Sequence, residues 1–149
     1  TLIGKTIGFP KTLQVLKNKK GTDINSFLSK THNQIKIISI IDGTCPKCIT
    51  SQLNYNDSIF STLLDNNKAH LAFILNVPTE DSAYFMKHYH TYIDAKSTIL
   101  WDNNYNFERA NKLFTSDENL RTFMTNRRNK IVVYGNPLFY ARVIDKYNN

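Results

Sequence analysis

Two short runs limit the folds open to this 149-residue chain more than any other feature. "KIISII" (36–41) and "HLAFILNV" (70–77) are apolar on both faces, rich in β-branched residues and too short for helices. Each reads as a strand buried in the middle of a sheet. Between them Pro46 to Asn67 reads as a helix: Pro46 suits the first helical position, and Ile49, Leu53, Ile59, Phe60, Leu63 and Leu64 fall largely on one face. The polar "NYND" (54–57) interrupts that face, so a kink or break is expected there. "NVPTED" then turns the chain into a second helix running to about Tyr92, with Thr79 as N-cap and Glu80 and Asp81 at its positive end. Strand, helix, strand, helix is the βαβ pattern of a parallel sheet with right-handed crossovers.

The rest of the chain adds a different kind of pairing. "STILW" (97–101) reads as a short strand and Tyr105–Phe114 as a small helix, while "RTFMT" and "KIVVY", joined by "NRRN", read as an antiparallel hairpin. In "YGNP", Gly135 supplies turn freedom, Asn136 can cap, and Pro137 can open a closing helix through Tyr147 that presents Leu138, Ala141, Val143 and Ile144. The expected architecture is a single α/β domain over residues 1–149, with helices flanking a mixed central sheet. At 41% hydrophobic and 12% aromatic residues, the chain can build one core without disulfide staples.

No apolar run approaches the roughly 20 residues that span a bilayer, and no basic segment followed by an apolar one opens the chain. It begins at Thr1 rather than Met, so a processed or trimmed product is expected, which leaves room for a removed signal or lipid-anchor segment that the sequence itself does not display. The net charge of +7 raises the question of nucleic acid, but the basic residues are scattered. The two densest clusters, Lys17 with Lys19 and Lys20, and Arg127 with Arg128 and Lys130, lie in polar turn-like stretches without interleaved aromatics. They read as solvated loop faces, and no nucleic-acid partner is expected.

The chemistry centres on "DGTCPKC" (42–48). Two cysteines cannot form the dense disulfide framework of a small secreted domain, nor supply by themselves the four ligands of a structural zinc site, so they matter as one pair. Spaced i, i+3 at a helix start, they share a face, with Cys45 where unpaired backbone N–H groups point outward. The helix dipole, those donors and the ammonium of Lys47 all favour a Cys45 thiolate, which makes Cys45 the candidate nucleophile. Cys48, one turn further in and expected to be less exposed, is placed to resolve a mixed disulfide. Pro46 stiffens the first turn. Asp42, three residues before Cys45, can shuttle a proton or cap the turn after the strand. A fixed disulfide in a binding or redox-sensing module, and a metal shared with a partner chain, remain open as other uses of the pair.

The surroundings of the motif carry a resemblance. "IISIIDGTCPKC", the second strand "LAFILNV", the hairpin "TFMTNRRNKIVVYGNP" and the opening "LIGKTIGFP" resemble the thioredoxin superfamily, in particular its periplasmic TlpA- and ResA-like members. The resemblance implies a thioredoxin fold with a core over 35–147 and a lead-in over 1–34. It also implies a thiol–disulfide oxidoreductase exported to a bacterial cell envelope, commonly lipid-anchored. Such a protein exchanges disulfides with exported proteins and with a redox partner, and needs no cofactor beyond the Cys45–Cys48 pair. Cys45 matches the attacking cysteine and Cys48 the resolving one. Two positions depart from the pattern. Thr44 replaces the usual tryptophan, and the cleft proline that is cis in the family should fall near Leu120, where no proline occurs. A cis peptide without proline costs about 2.5–4 kcal/mol, so a trans bond and an altered substrate cleft are expected, as in divergent Bacteroidetes thioredoxin-like lipoproteins.

The remaining candidates have plainer readings. His88 and His90, at i and i+2, diverge on a helix, and no metal site is expected there. Phe85, Tyr89 and Tyr92 read as packing residues, and Trp101 as core.

Overall fold

The computed structural model describes residues 2–63, 69–113 and 116–148, without the Leu63 side chain. Seven strands make one sheet: β1 (Gln14–Lys17), β2 (Lys20–Asp23), β3 (Ile35–Asp42), β4 (Ala69–Asn76), β5 (Thr98–Asp102), β6 (Thr122–Thr125) and β7 (Ile131–Tyr134). Their order is β2-β1-β5-β4-β3-β6-β7. β3 pairs parallel with β4 and β4 with β5, while β6 pairs antiparallel with β3 and with β7. The sheet is mixed, as the sequence pattern requires, and β3 lies inside it.

Period-two alternation along the central strands divides the core in two. Ile38, Ile40, Ala72, Ile74, Leu100 and Phe123 face one side with Phe107, Phe27, Ile7 and Leu13. Ile37, Ile41, Leu71, Phe73 and Leu75 face the other with Ile49, Leu53, Phe60, Phe85, Val143 and Tyr147. Apolar residues at successive positions are thus needed in β3 and β4 because both faces are covered.

The first crossover is a run of α2 (Pro46–Cys48), a π turn (Ile49–Leu53) and α3 (Asn54–Leu63). The irregularity expected at 54–57 lies just before it. "NYND" passes through as regular helix because its polar side chains bond outside the helix. Asn54 Nδ2 donates to the Tyr92 carbonyl (2.8 Å) and its Oδ1 accepts from Asp94 N (3.0 Å), Asp57 accepts from the N–H groups of Lys96 and Ser97, and buried Asn56 donates to Ser39 Oγ of β3. Leu64 and the expected stretch to Asn67 lie outside the described residues.

The second crossover is a chain of short helical turns, Thr79–Asp81, α4 (Ser82–Tyr84), Phe85–Tyr89 and His90–Tyr92, ending at the expected residue. Its N-cap is Pro78 rather than Thr79, whose hydroxyl instead donates to the Asn103 carbonyl. Phe85 is fully buried and Tyr89 packs on the second core cluster, whereas Tyr92 is exposed and packs at the surface on the Tyr89 ring, with centroids 6.5 Å apart. Trp101 is half-buried against Phe85, with ring centroids 5.9 Å apart.

Two further corrections concern helix lengths. The small helix is α5 (Asn106–Ala110), shorter than expected, and Phe114 lies outside the described residues. The closing helix α6 (Val143–Asn148) starts six residues after Pro137. Asn136 does cap, but it caps a turn: its Oδ1 accepts from Leu138 N at 3.0 Å. Gly135 (φ +132°) then takes the Val143 side chain against its bare Cα, and a Cβ there would stand 2.7 Å from Val143 Cγ1. That contact helps fix where the helix begins.

The lead-in, for which the sequence suggested no elements, supplies α1 (Asn25–Lys30) and the hairpin β1–β2, and β1 joins the sheet antiparallel to β5. Residues before it run along the opposite edge. Gly4 N donates to Ile131 O, Ile131 N to Lys5 O, and Ile7 N to Asn129 O, with an antiparallel bridge between Thr6 and Lys130. Ile7 and Leu13 between these two attachments are buried in the first core cluster. Among the described residues no helix is long and apolar enough to cross a membrane.

Gly43 follows β3 where the chain must pass close to β4. A Cβ at this residue would stand 2.5 Å from Val77 Cγ2, 2.9 Å from Leu75 Cγ and 3.0 Å from the Asn76 carbonyl oxygen. Gly43→Ala is therefore expected to destabilise the fold by about 1–3 kcal/mol, read as a lower urea midpoint at unchanged slope.

Candidate active site

β3 ends at Asp42, and the chain reaches the cysteines through a short turn that Asp42 itself organises. Its Oδ1 accepts from both Thr44 N (2.9 Å) and Thr44 Oγ1 (2.8 Å), and its carbonyl from Cys45 N (3.4 Å). Gly43 N donates to the Asn76 carbonyl at 2.8 Å, which holds the turn against the end of β4. The turn-capping alternative for Asp42 is thus realised. Thr44, in the position where tryptophan is usual, spends its hydroxyl on this turn.

Cys45 is the N-cap of α2, with extended backbone (φ −113°, ψ 102°), and Pro46 occupies the first helical position. The Cys45 Sγ accepts from Cys48 N at 3.1 Å. Cys45 and Cys48 are joined in a disulfide with their Cα atoms 5.2 Å apart. Both are half-buried; Cys48 packs against the second core cluster beside Ile49, whereas Lys47 is exposed. A sulfur at this site faces the unpaired N–H groups and positive end of the helix, an arrangement that favours thiolate over thiol when the pair is reduced.

The antiparallel pairing of Ser39 with Thr122 brings the segment before β6 to the same end of the sheet. That segment is a 3-10 turn, Glu118–Arg121, capped by Asp117, whose side chain accepts from Asn119 N. Half-buried Leu120 sits within it and donates its N–H to the Asp117 carbonyl at 3.0 Å. Every peptide bond among the described residues is trans. Gln52 Nε2 donates to Glu118 Oε2 (3.3 Å), tying this turn to the helix that carries the cysteines. The structure thus brings Asp42, Thr44, Cys45, Pro46, Lys47, Cys48 and the Leu120 turn to one end of the sheet.

Several residues of this end were not singled out in the sequence. Gly43 and Glu118 act through packing and a single hydrogen bond, and neither has a pattern of its own. Asp102 and Glu108 are buried carboxylates behind the site. Asp102 accepts from the N–H groups of Asn104, Asn106 and Phe107, and Glu108 Oε1 accepts from Asn76 Nδ2 at 2.7 Å. The spacing of Asp102 to Asn106 and Phe107, an acceptor just before a helix start, was the available signal.

No protein-family model matches the sequence, and no curated protein is similar to it. Solved structures do resemble it. The thioredoxin domain of a thiol–disulfide oxidoreductase from Bacteroides vulgatus superposes with a TM-score of 0.61 at 10% identity, covering 99% of this chain and 98% of that one. A thioredoxin-like protein from Porphyromonas gingivalis gives 0.61 at 18% identity over 95% of this chain and 90% of its own. The bacterioferritin comigratory protein of Xanthomonas campestris, studied for alkyl peroxide reduction, gives 0.62 at 13% identity over 98% and 94%. Such identities speak to the fold, and with its parallel β3–β4–β5 core, antiparallel β6–β7 hairpin and cysteine pair at the helix start, this chain has the thioredoxin-like fold.

Proposed function

We propose that the protein is a thiol–disulfide oxidoreductase acting on polypeptides of a bacterial cell envelope. The observation that carries this reading is the Cys45–Cys48 disulfide at a helix N-terminus, with Cys45 Sγ accepting a backbone N–H at 3.1 Å. The similarity to a structure described as a thiol–disulfide oxidoreductase domain supports it. The envelope location rests on the sequence resemblance to exported TlpA-like proteins, and the reading needs no cofactor beyond the cysteine pair.

In the reduced protein the Cys45 thiolate attacks one sulfur of a substrate disulfide. A Cys45–substrate disulfide forms and the substrate's other sulfur leaves as a thiolate. Cys48, deprotonated, then attacks Cys45 Sγ, releasing the second substrate thiolate and closing the Cys45–Cys48 disulfide. Two electrons pass to the substrate, and two protons from the cysteines end on its thiols. An external dithiol restores the starting state, and the same steps in reverse oxidise a dithiol substrate. Pro46 keeps the attacking sulfur at the cap, Lys47 adds a solvent-screened positive charge, and Asp42 holds the Thr44 turn and is the carboxylate proposed to relay protons. The Thr44 and Leu120 segments form the cleft walls.

A second reading, a binding or redox-sensing module with little turnover, is favoured by one feature: the 3-10 turn at Glu118–Arg121 where the resemblance implies a proline-bearing cleft. The two readings differ in what the cysteines do. Under exchange, Cys45 alkylation titrates well below about 8.5 while Cys48 reacts slowly, and the pair cycles reversibly in graded redox buffers. Cys48→Ser accumulates a mixed disulfide through Cys45, and Cys45→Ser forms none. Two slow cysteines with unshifted titrations would leave the binding module.

Because the disulfide closes a loop of only four residues, its reduction is expected to cost at most about 2 kcal/mol and to leave the core packed. Urea unfolding with and without reductant, followed by near-ultraviolet circular dichroism, checks this.

A further inference from the structure

Tyr105 is the residue most at odds with its own backbone. As N-cap of α5 it adopts φ 55° and ψ 32°, the left-handed region that a bulky side chain enters only at a cost. The other non-glycine residues with positive φ among those described are Asn18, Lys19, Asn33, Lys112 and Asn129. Asparagine tolerates that region, and none of the five carries an aromatic ring. Tyr105 is 42% exposed, so burial in the core does not account for it.

The loop imposes the conformation. Fully buried Asp102 accepts from Asn104 N (3.3 Å) and Asn106 N (2.9 Å) on one oxygen and from Phe107 N (2.8 Å) on the other. Arg109 N then donates to the Tyr105 carbonyl at 3.1 Å. Glycine would satisfy the same backbone without strain. An exposed aromatic kept at such a position points to a use outside folding.

Its place in the sheet says what that use is. Asp42, Asn76 and Asp102 lie in one row across the parallel strands. Cys45 and Tyr105 each come three residues past that row, at the same end of the sheet. The Tyr105 phenol has its pKa raised, first by partial burial and then by the Asp42 carboxylate, with smaller contributions from Glu108 and Asp81 in the same sense and from Arg121 in the opposite one. Asp42 braces the turn into Cys45, and Arg121 ends the 3-10 turn beside Leu120. Tyr105 thus stands at the end of the sheet where β3 leads into the cysteine pair.

We propose that Tyr105 is a specificity-determining residue of the exchange site, contacting the chain that flanks a substrate's reactive cysteine, so that the site favours polypeptide disulfides over small-molecule ones. The inference rests on the exchange reading of Cys45 and Cys48. Two strand spacings of about 4.8 Å separate β3 from β5, the strands that lead into Cys45 and Tyr105. Three residues of extended chain, at about 3.3 Å each, cover that distance, whereas hydroxyethyl disulfide bound at Cys45 does not. The ring offers apolar area, and its hydroxyl can donate to a peptide carbonyl or accept from a peptide N–H.

The test compares rate constants for reduction of insulin and of hydroxyethyl disulfide by the dithiol form of the full chain, with Tyr105→Gly and Tyr105→Phe beside the wild type. Tyr105→Gly removes the backbone strain and is expected to raise Tm, so a folding defect does not confuse the result. The insulin to hydroxyethyl disulfide rate ratio is expected to fall roughly tenfold in Tyr105→Gly and only about two- to threefold in Tyr105→Phe. An unchanged ratio in Tyr105→Gly overturns this inference alone. A wild type that reduces neither disulfide overturns the exchange reading and this inference with it.

Discussion

The parallel pairing of β3 with β4 is the constraint from which the rest of the structure follows. Eight residue pairs, from Ile35 with Ala69 to Asp42 with Asn76, lie side by side with both faces covered. Parallel strands need a crossover, so the helical run from Pro46 must leave the carboxyl end of β3 and return over one face. The helix start, and with it the cysteine pair, is thereby delivered to the end of a rigid buried strand. The close approach at Gly43 comes from the same pairing: the chain leaves β3 so near β4 that no Cβ fits.

The ends of the three parallel strands share a device. Asp42, Asn76 and Asp102 occupy equivalent rows, and each uses a short polar side chain on the chain that follows or faces it: Asp42 on Thr44, Asn76 on Glu108, Asp102 on the start of α5. Buried N–H groups leaving a sheet must find acceptors, and a carboxylate satisfies several at once. A polar row therefore closes the apolar core on the side where the cysteines sit, so that loops carrying functional groups stand on fixed supports.

Most of this was legible in the sequence where it depended on periodicity. The unbroken apolar runs of β3 and β4, the hairpin around Arg127 and Arg128, and the Pro46 helix start are local signals, and the structure has all three. What stayed hidden depended on partners distant in sequence. "NYND" reads as an interruption until Asn54 and Asp57 are seen to bond the 92–97 segment. Pro137 reads as a helix start until Val143 is seen to pack on Gly135. The β1–β2 strands carry too few apolar residues to announce themselves, since β2 is a polar edge strand. At the site, the cysteines and the capping role of Asp42 follow from spacing, whereas Glu118 and Tyr105 gain their meaning only from the strand order.

The path of the first seventeen residues has a consequence for the behaviour of the whole sheet. A seven-stranded open sheet has two edges, each a row of unpaired N–H and C=O groups ready to recruit another chain. Here residues 4–7 cover the start of the β7 edge, and the same segment crosses the first core cluster to become β1, which extends the other side and hands the edge to the polar β2. One stretch of chain thus guards both flanks. Its loss would uncover the β7 margin and leave β5 as a bare, apolar border at once, turning a guarded sheet into a template for edge-to-edge aggregation while the cysteine end stayed intact.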